Sequence, residues 1–418
     1  FERFGFEPLE TPAFERLEVL LGKYGEEGDK LIFKILRRGE REEAGEVDLA
    51  LRYDLTVPLA RVMAQHSDRI TQPYKRFHVG PVWRADRPGR GRYREFTQCD
   101  VDIVGTRSRV ADAEVILAVS AALRALGLSD FTVLLNSRQT LRGLMEAYGV
   151  PSELEGPALT TLDKLDKVGV EGVVEEMRER GVPPGTTEAL GEDLASGPER
   201  VRDLLEATDG GRAGLAEIEE VAALVSPNLP AGQLRVAPFL ARGLSYYTGP
   251  IFEVQATGLG SSIASGGRYD NLVGMFSNRD IPACGGSVGL ERVLLLLEGQ
   301  DDRRSGPDVL VTVLDEGARG DALSVASRLR SEGLDVDLYV GNGRLGKQLR
   351  YAERRAIRYC IIRGGEEQAA GTAAVKDLDS GEQRAVPLDE LAGHLHGLLR
   401  KGDLRERRSA GATREEPS

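Results

Sequence analysis

Alternation of apolar and polar positions is clearest between Arg76 and Gly105, RFHVGPVWRADRPGRGRYREFTQCDVDIVG. Phe77–Trp83 is apolar, β-branched or aromatic and bounded by charge, which predicts a strand. Ala85–Gly91, carrying Arg87, Pro88, Gly89, Arg90 and Gly91, predicts a loop. A second strand follows. Tyr93, Glu95, Thr97, Cys99, Val101 and Ile103 share one register, and Arg92, Arg94, Phe96, Gln98, Asp100 and Asp102 the other. The second face runs from cations through an aromatic ring to a carboxylate. It suits a ligand with phosphates, a flat ring and an ammonium or imidazole, and it equally fits a hairpin with an ordinary charged solvent face.

Elsewhere the pattern predicts a helix at Leu17–Lys23 and strands at Leu31–Leu36 and Val47–Leu51. Leu51–Arg61, LRYDLTVPLAR, turns from strand into helix, with Thr56 as cap and Pro58 in the first turn. Val110–Leu126 is amphipathic, with Ala111, Val115, Leu117, Val119, Ala122 and Leu126 on its apolar face. Phe131–Leu135 reads as a strand and 137–225 as mostly helical. Leu234–Ala237 and Ile251–Gln255 read as strands, Ser265–Asp270 as a glycine turn, and Ala283–Leu297 as a small-residue strand running into an apolar helix. Gly299–Gly306 is the linker candidate. Beyond it, strands at Val309–Val313, Val336–Tyr339 and Tyr359–Ile362 alternate with helices at Ala322–Arg330 and Leu345–Arg355. A hairpin near Lys376–Val386 and a last helix complete an α/β pattern. The polar segment from Lys401 to Ser418 predicts disorder.

The 418 residues allow two or three domains, and 41% hydrophobic with 29% charged residues describes a globular chain. No apolar run approaches the ~20 residues of a membrane helix, and no signal peptide is apparent. The chain opens at Phe1 without an initiator Met, so an N-terminal piece is expected to precede it. Cys99, Cys284 and Cys360 are few and far apart, which predicts reduced thiols in a cytoplasmic protein. His394 and His396 fall in the amphipathic last helix as structural residues, and no metal-binding cluster is predicted. A net charge of −12 excludes general coating of nucleic acid. Two basic clusters stand out: Arg87, Arg90, Arg92 and Arg94, then Lys347, Arg350, Arg354, Arg355 and Arg358. They fit one elongated polyanion touched at two places; a solvated charged helix would also explain the second.

Three stretches carry a family resemblance: the Arg76–Gly105 hairpin, ARGLSYYTGPIFEV at Ala241–Val254, and SGGRYDNLVGMF at Ser265–Phe276. The first resembles the second signature motif of class II aminoacyl-tRNA synthetases, and all three resemble the histidyl-tRNA synthetase family in particular. ACGGSVGLERVLLLL at Ala283–Leu297 resembles the third class II motif, and Phe1–Phe14 the end of the first, which lies at the family's dimer interface. The resemblance implies an α+β fold. An antiparallel β-sheet catalytic core would occupy 1–136 and 229–300, a helical insertion 137–228, an anticodon-binding α/β domain 306–400, and a disordered tail 401–418. Thr160–Val170, TTLDKLDKVGV, resembles the eukaryotic and archaeal-type branch of the family.

The resemblance further implies ATP, histidine and tRNA(His) as substrates, Mg²⁺ as an assisting ion, and a homodimer. It assigns catalysis to Arg84, Arg242 and Arg292, and ATP binding to Arg84, Asp86, Arg92, Phe96 and Arg292. Histidine would be held by Asp54, Leu55, Thr56, Arg84, Gln98, Asp102, Arg242, Tyr246, Tyr247 and Tyr269. For Asp54 and Thr56 the alternative is helix capping alone. For Arg242 it is a partly buried ion pair, with Glu253 as a partner within reach of the sequence. Ser245 stands where the family usually has an acidic residue, and Asp86 where it usually has glutamate. The alternative at the level of function is a non-catalytic relative, either a histidine-biosynthesis regulatory subunit or a tRNA sensor.

Overall fold

The computed structural model describes residues 1–38, 45–196, 200–241, 246–298 and 306–400. The chain divides into two compact units, Phe1–Gln300 and Asp301–Ser418. The linker candidate Gly299–Gly306 lies almost wholly outside the described residues, as does the tail from Lys401.

The first unit is built on an eight-stranded sheet. Its order is Glu7–Pro8, Tyr74–Trp83, Glu95–Val104, Ala283–Gly289, Ala264–Arg268, Pro250–Ala256, Phe131–Ser137 and Leu234–Val236. The six inner strands are antiparallel, and each edge strand pairs in parallel with its neighbour. The Glu95–Val104 strand lies between Tyr74–Trp83 and Ala283–Gly289, so both of its edges are satisfied. Its pleat separates two environments. Val101 and Ile103 enter a hydrophobic core with Val115, Val119 and Leu123 of the Arg109–Ala125 helix. Gln98, Asp100 and Asp102 point to the other face and line a cavity.

Several boundaries differ from the pattern. The strand begins at Glu95, because Gly89 and Arg92 close a turn by an isolated bridge and keep Arg92 outside the ladder. Ser265–Asp270 is not a turn: Ala264–Arg268 is an inner strand between two neighbours. Its glycines meet close backbone instead. A Cβ on Gly266 would lie 2.1 Å from the Gly285 carbonyl oxygen, and one on Gly267 2.7 Å from that of Pro250. The helix after Leu51 spans Thr56–His66 with Leu55 at its N-cap position, so Thr56 is its first residue; of the two capping candidates, Asp54 accepts at Oδ1 from Val57 N at 3.0 Å.

Helices fill most of the chain from Arg138 to Val225, beginning with Arg138–Ala147 and ending with Asp209–Val225. They share a core with residues near the cavity: Leu141, Leu144 and Leu159 join the cluster containing Tyr24, Tyr53, Tyr246 and Tyr269. A charged network ties the last of them to the sheet. Arg109 pairs with Glu217, and Ser137 Oγ donates to Glu217 at 2.6 Å.

The second unit is a five-stranded mixed sheet ordered Val336–Leu338, Val309–Val311, Tyr359–Ile362, Thr372–Asp377 and Gln383–Pro387. The first three strands are parallel and the last two antiparallel. Helices Arg319–Ser331, Leu345–Arg354, the short Gly365–Ala370 and 391–400 accompany it. Among the described residues no helix is long and apolar enough to cross a membrane. All three cysteines are free thiols.

Candidate active site

A cavity of about 570 Å³ opens on the polar face of the large sheet. Its floor holds three buried carboxylates. Asp54, 2% exposed, accepts at Oδ1 from the Tyr24 hydroxyl at 3.0 Å and at Oδ2 from the Tyr246 hydroxyl at 3.4 Å. Burial raises its pKa, against the opposing pull of the Val57 N–H, Arg84 and the two tyrosines. Asp102 is also raised by burial, and here Arg76 and Tyr269 oppose the shift. The Arg76 Nε lies 3.0 Å from Asp102 Oδ2, and the Tyr269 hydroxyl donates to Oδ1. Asp100 stands between them in sequence. Burial, then the charge on Asp102, push it up to about 7.

Aromatic rings wall this end. Tyr246 sits edge-on to Tyr247 at 5.0 Å and to Tyr269 at 5.9 Å between ring centroids. Tyr24 and Tyr53 pack at 4.4 Å. Burial raises the Tyr24, Tyr246 and Tyr269 hydroxyls well above the usual phenol, so they stay protonated and serve as donors. Thr56 lines the cavity beside them.

The other end is cationic. Arg84 follows directly on the Tyr74–Trp83 strand. Its Nε donates to the Tyr53 carbonyl at 3.1 Å, and its guanidinium lies 4.2 Å from the Tyr53 ring centroid and 5.0 Å from that of Phe96. Arg92 comes from the turn and pairs with Asp86 at 2.7 Å. Arg292 comes from the first turn of the Leu290–Leu297 helix and donates to the Ser262 carbonyl at 2.6 Å. Arg90 lines the same end. The arrangement offers planar, permanently charged donors beside the half-buried, cavity-lining ring of Phe96, which suits a triphosphate and a flat base.

The structure therefore brings together Asp54, Thr56, Arg84, Asp86, Arg92, Phe96, Gln98, Asp102, Tyr246, Tyr247, Tyr269 and Arg292 around one cavity. Leu55 is not brought there. Its side chain is fully buried, and its carbonyl accepts from Arg76 Nη2 at 2.9 Å. Arg242 and Ser245 lie outside the described residues. Arg94 turns away from the cavity and donates to the Asp86 carbonyl at 3.3 Å.

Sequence reasoning passed over Tyr24, Tyr53, Arg76, Asp100, Ser287 and Glu291. Asp100 carried a usable signal, since it shares the register of Gln98 and Asp102. Glu291 follows the strand–helix junction and accepts from Thr97 N at 2.8 Å. Arg76, fully buried under the cavity, carried none. The helical segment also contributes Asp163 and Lys167 to the cavity wall.

Known proteins resemble this chain over most of its length. The family profile described as Histidyl-tRNA synthetase matches residues 1–293, and that described as Anticodon binding domain matches residues 308–398. The histidine–tRNA ligase of Christiangramia forsetii is 39% identical over 94% of this chain and 93% of its own length. That of Rhodopirellula baltica is 40% identical over 92% of this chain and 89% of its own. The crystal structure of histidyl-tRNA synthetase from Nostoc sp. superposes with a TM-score of 0.77 at 31% identity, covering 94% of this chain and 92% of that one. With a family profile spanning most of its length and relatives near 40% identity end to end, the chain belongs to the histidyl-tRNA synthetase family.

Proposed function

We infer that this chain ligates histidine to tRNA(His), activating the amino acid with ATP in the cavity just described. The single observation that carries this assignment is convergence. Arg84, Arg92 and Arg292, from separate parts of the chain, meet at one end of a cavity whose other end is floored by Asp54, Gln98 and Asp102.

In the first step a histidine carboxylate oxygen attacks the α-phosphorus in line. The bond to pyrophosphate breaks, leaving histidyl-adenylate. Negative charge grows on the phosphate oxygens; Arg84 in the cavity would neutralise it, and the family resemblance assigns the same role to Arg242. Arg92 and Arg292 hold the outer phosphates, and Phe96 stacks on adenine. Asp54, Thr56 and Gln98 receive the α-ammonium side of histidine, while Tyr247 and Asp102 meet its imidazole. In the second step a hydroxyl of the terminal adenosine of tRNA attacks the histidyl carbonyl and releases AMP. No side chain need become a nucleophile; positioning and fixed charge suffice. A cavity with buried polar groups rejects amino acids that leave those groups unpaired.

Mg²⁺ belongs to the same proposal. Among the described residues no group of three or more ligating side chains could hold a metal ion. The ion would therefore ride mainly on the phosphates of ATP, with Asp86 and Glu291 as the cavity carboxylates nearest that end, and would supply further charge neutralisation. In the second unit, the Leu345–Arg354 helix carries Lys347, Arg350 and Arg354, a basic face for the anticodon arm of tRNA. A homodimer in the cytoplasm completes the reading.

The test is histidine-dependent exchange of labelled pyrophosphate into ATP. Wild-type protein should exchange with histidine and with no other amino acid. Arg84→Ala and Arg242→Ala should each lose exchange by at least about a hundredfold, the scale of one oxyanion-type donor, while retaining tRNA affinity. Exchange that persists in both variants would remove these arginines from the reaction.

A further inference from the structure

A carboxylate serves a ligand only through the lone pairs that the protein leaves free, so the groups on the others decide which oxygen is offered. Asp54 Oδ1 accepts from the Tyr24 hydroxyl at 3.0 Å and from Val57 N at 3.0 Å, which fills it. Among the described residues Oδ2 accepts from the Tyr246 hydroxyl alone, at a long 3.4 Å, and keeps room for one more donor. Tyr24 is firmly seated. It is 3% exposed, its ring packs on that of Tyr53 at 4.4 Å between centroids, and a Cβ on Gly28 would fall 2.5 Å from its own Cβ. The segment that carries it reaches the other end of the cavity. The Leu31 carbonyl accepts from Ala85 N at 2.8 Å, next to Arg84. The Arg84 guanidinium lies 4.2 Å from the Tyr53 ring centroid, on the residue that Tyr24 packs against. Asp54, Tyr24, Tyr53 and Arg84 thus form one contiguous chain of contacts from the amino-acid end to the phosphate end.

We infer that Tyr24 is a positioning residue with two separable parts: its hydroxyl fixes Asp54 so that Oδ2 meets the α-ammonium of the amino acid, and its ring backs Tyr53 and so sets the stance of Arg84. The assignment rests on the cavity being the histidine site. Tyr24 acts through Asp54 and Tyr53 and need not touch either substrate. Without the hydroxyl, Oδ1 has an open acceptor site and the carboxyl group can turn, so the ammonium meets an acceptor that is no longer held in place. A ligand that lacks an ammonium takes nothing from Asp54 and is indifferent to the change. Without the ring, Tyr53 loses the neighbour behind it, and the arginine stacked on Tyr53 loses its support. A role in packing alone would make no such distinction between ligands, because a general loosening of the floor weakens every ligand of the cavity.

The experiment measures histidine-dependent pyrophosphate exchange in Tyr24→Phe and Tyr24→Leu. Two competitive inhibitors are compared: histidinol, which keeps the ammonium, and imidazolepropionate, which lacks it. Tyr24→Phe removes the hydroxyl alone. The KM for histidine and the Ki for histidinol should rise about tenfold, the scale of one hydrogen bond to a charged group, while the Ki for imidazolepropionate and the KM for ATP stay within about twofold. Tyr24→Leu removes the ring as well, and the KM for ATP should then rise about fivefold, the scale of a lost aromatic pair. A crystal structure of the wild-type protein with histidine reads the same geometry without a substitution, and serves if the variants fail to fold. The α-nitrogen should lie within about 3.2 Å of the Asp54 oxygen that Tyr24 does not hold. Equal losses for both inhibitors in Tyr24→Phe, an unchanged histidine KM, or an α-nitrogen seated away from that oxygen would overturn the role of the hydroxyl. An ATP KM unmoved by Tyr24→Leu would overturn that of the ring. A wild-type protein with no histidine-dependent exchange would instead overturn the reading of the cavity itself.

Discussion

Arg76 is the most consequential residue beneath the cavity, and replacing it with methionine tests how the carboxylate floor is held. Arg76 and Asp102 are 0% and 2% exposed, with Nε and Oδ2 3.0 Å apart. Arg76 Nη2 also donates to the Leu55 carbonyl at 2.9 Å, just ahead of the Thr56–His66 helix. Methionine fills similar volume but leaves a buried carboxylate without its cation. Breaking such a pair from one side costs about 3–5 kcal/mol. Burial already raises the Asp102 pKa against the pull of Arg76. Without the cation it rises further, and the folded protein then holds a proton that the unfolded chain releases. Stability is therefore lost as pH rises from the unfolded carboxylate value of about 3.9 toward the raised folded value, by up to about 1.4 kcal/mol per pH unit. The loss relative to wild type should be larger at pH 8 than at pH 5.5. Urea unfolding followed by tryptophan fluorescence suits the measurement. The chain has one tryptophan, Trp83, at the end of the strand that carries Arg76. A loss below about 1 kcal/mol, or one independent of pH, would refute the argument that Arg76 neutralises a buried charge.

Three further outcomes follow from the same geometry. His78 is 3% exposed, and burial together with Arg76 and Arg52 lowers its pKa to about 4. Its contribution is present above the unfolded value of about 6.5 and is lost as pH falls toward 4, so wild type should lose up to about 3 kcal/mol more than His78→Gln over that window; parallel pH–stability curves would contradict it. A Cβ on Gly285 would fall 1.9 Å from Asp102 Oδ1. Gly285→Ala should thus raise the histidine KM at least about tenfold and cost about 1–3 kcal/mol, and unaltered kinetics would show that Asp102 can move freely. Arg292→Ala should raise the KM for ATP more than that for histidine, and the reverse pattern in exchange kinetics would remove Arg292 from the nucleotide end.

What was legible in the linear chain was whatever depends on near neighbours. The period of two in the Arg76–Gly105 stretch foretold a strand with Gln98 and Asp102 on one face, because the pleat places alternate residues on opposite sides whatever lies around it. Ala283–Leu297 was read as a strand entering a helix for the same local reason, and the structure has Ala283–Gly289 followed by Leu290–Leu297. The chain alone misjudged Ser265–Asp270, where glycines suggested a turn. They are there because neighbouring strands approach too closely for a Cβ, and that requirement exists only once the strands are paired. Of Asp54 and Thr56, the two residues the chain offered as caps ahead of Val57, only packing decided that the Asp54 carboxylate accepts from Val57 N. Nothing local marked Arg76, Tyr24 or Ser287. Arg76 is needed because Asp102 is buried, and burial is a property of the whole packed sheet. Tyr24 meets Asp54 across 30 residues, and Gln98 meets Ser287 across 189. Local sequence specified which groups share a face; only tertiary packing decided which of them lose water, and the loss of water gives a buried charge or amide its required partner.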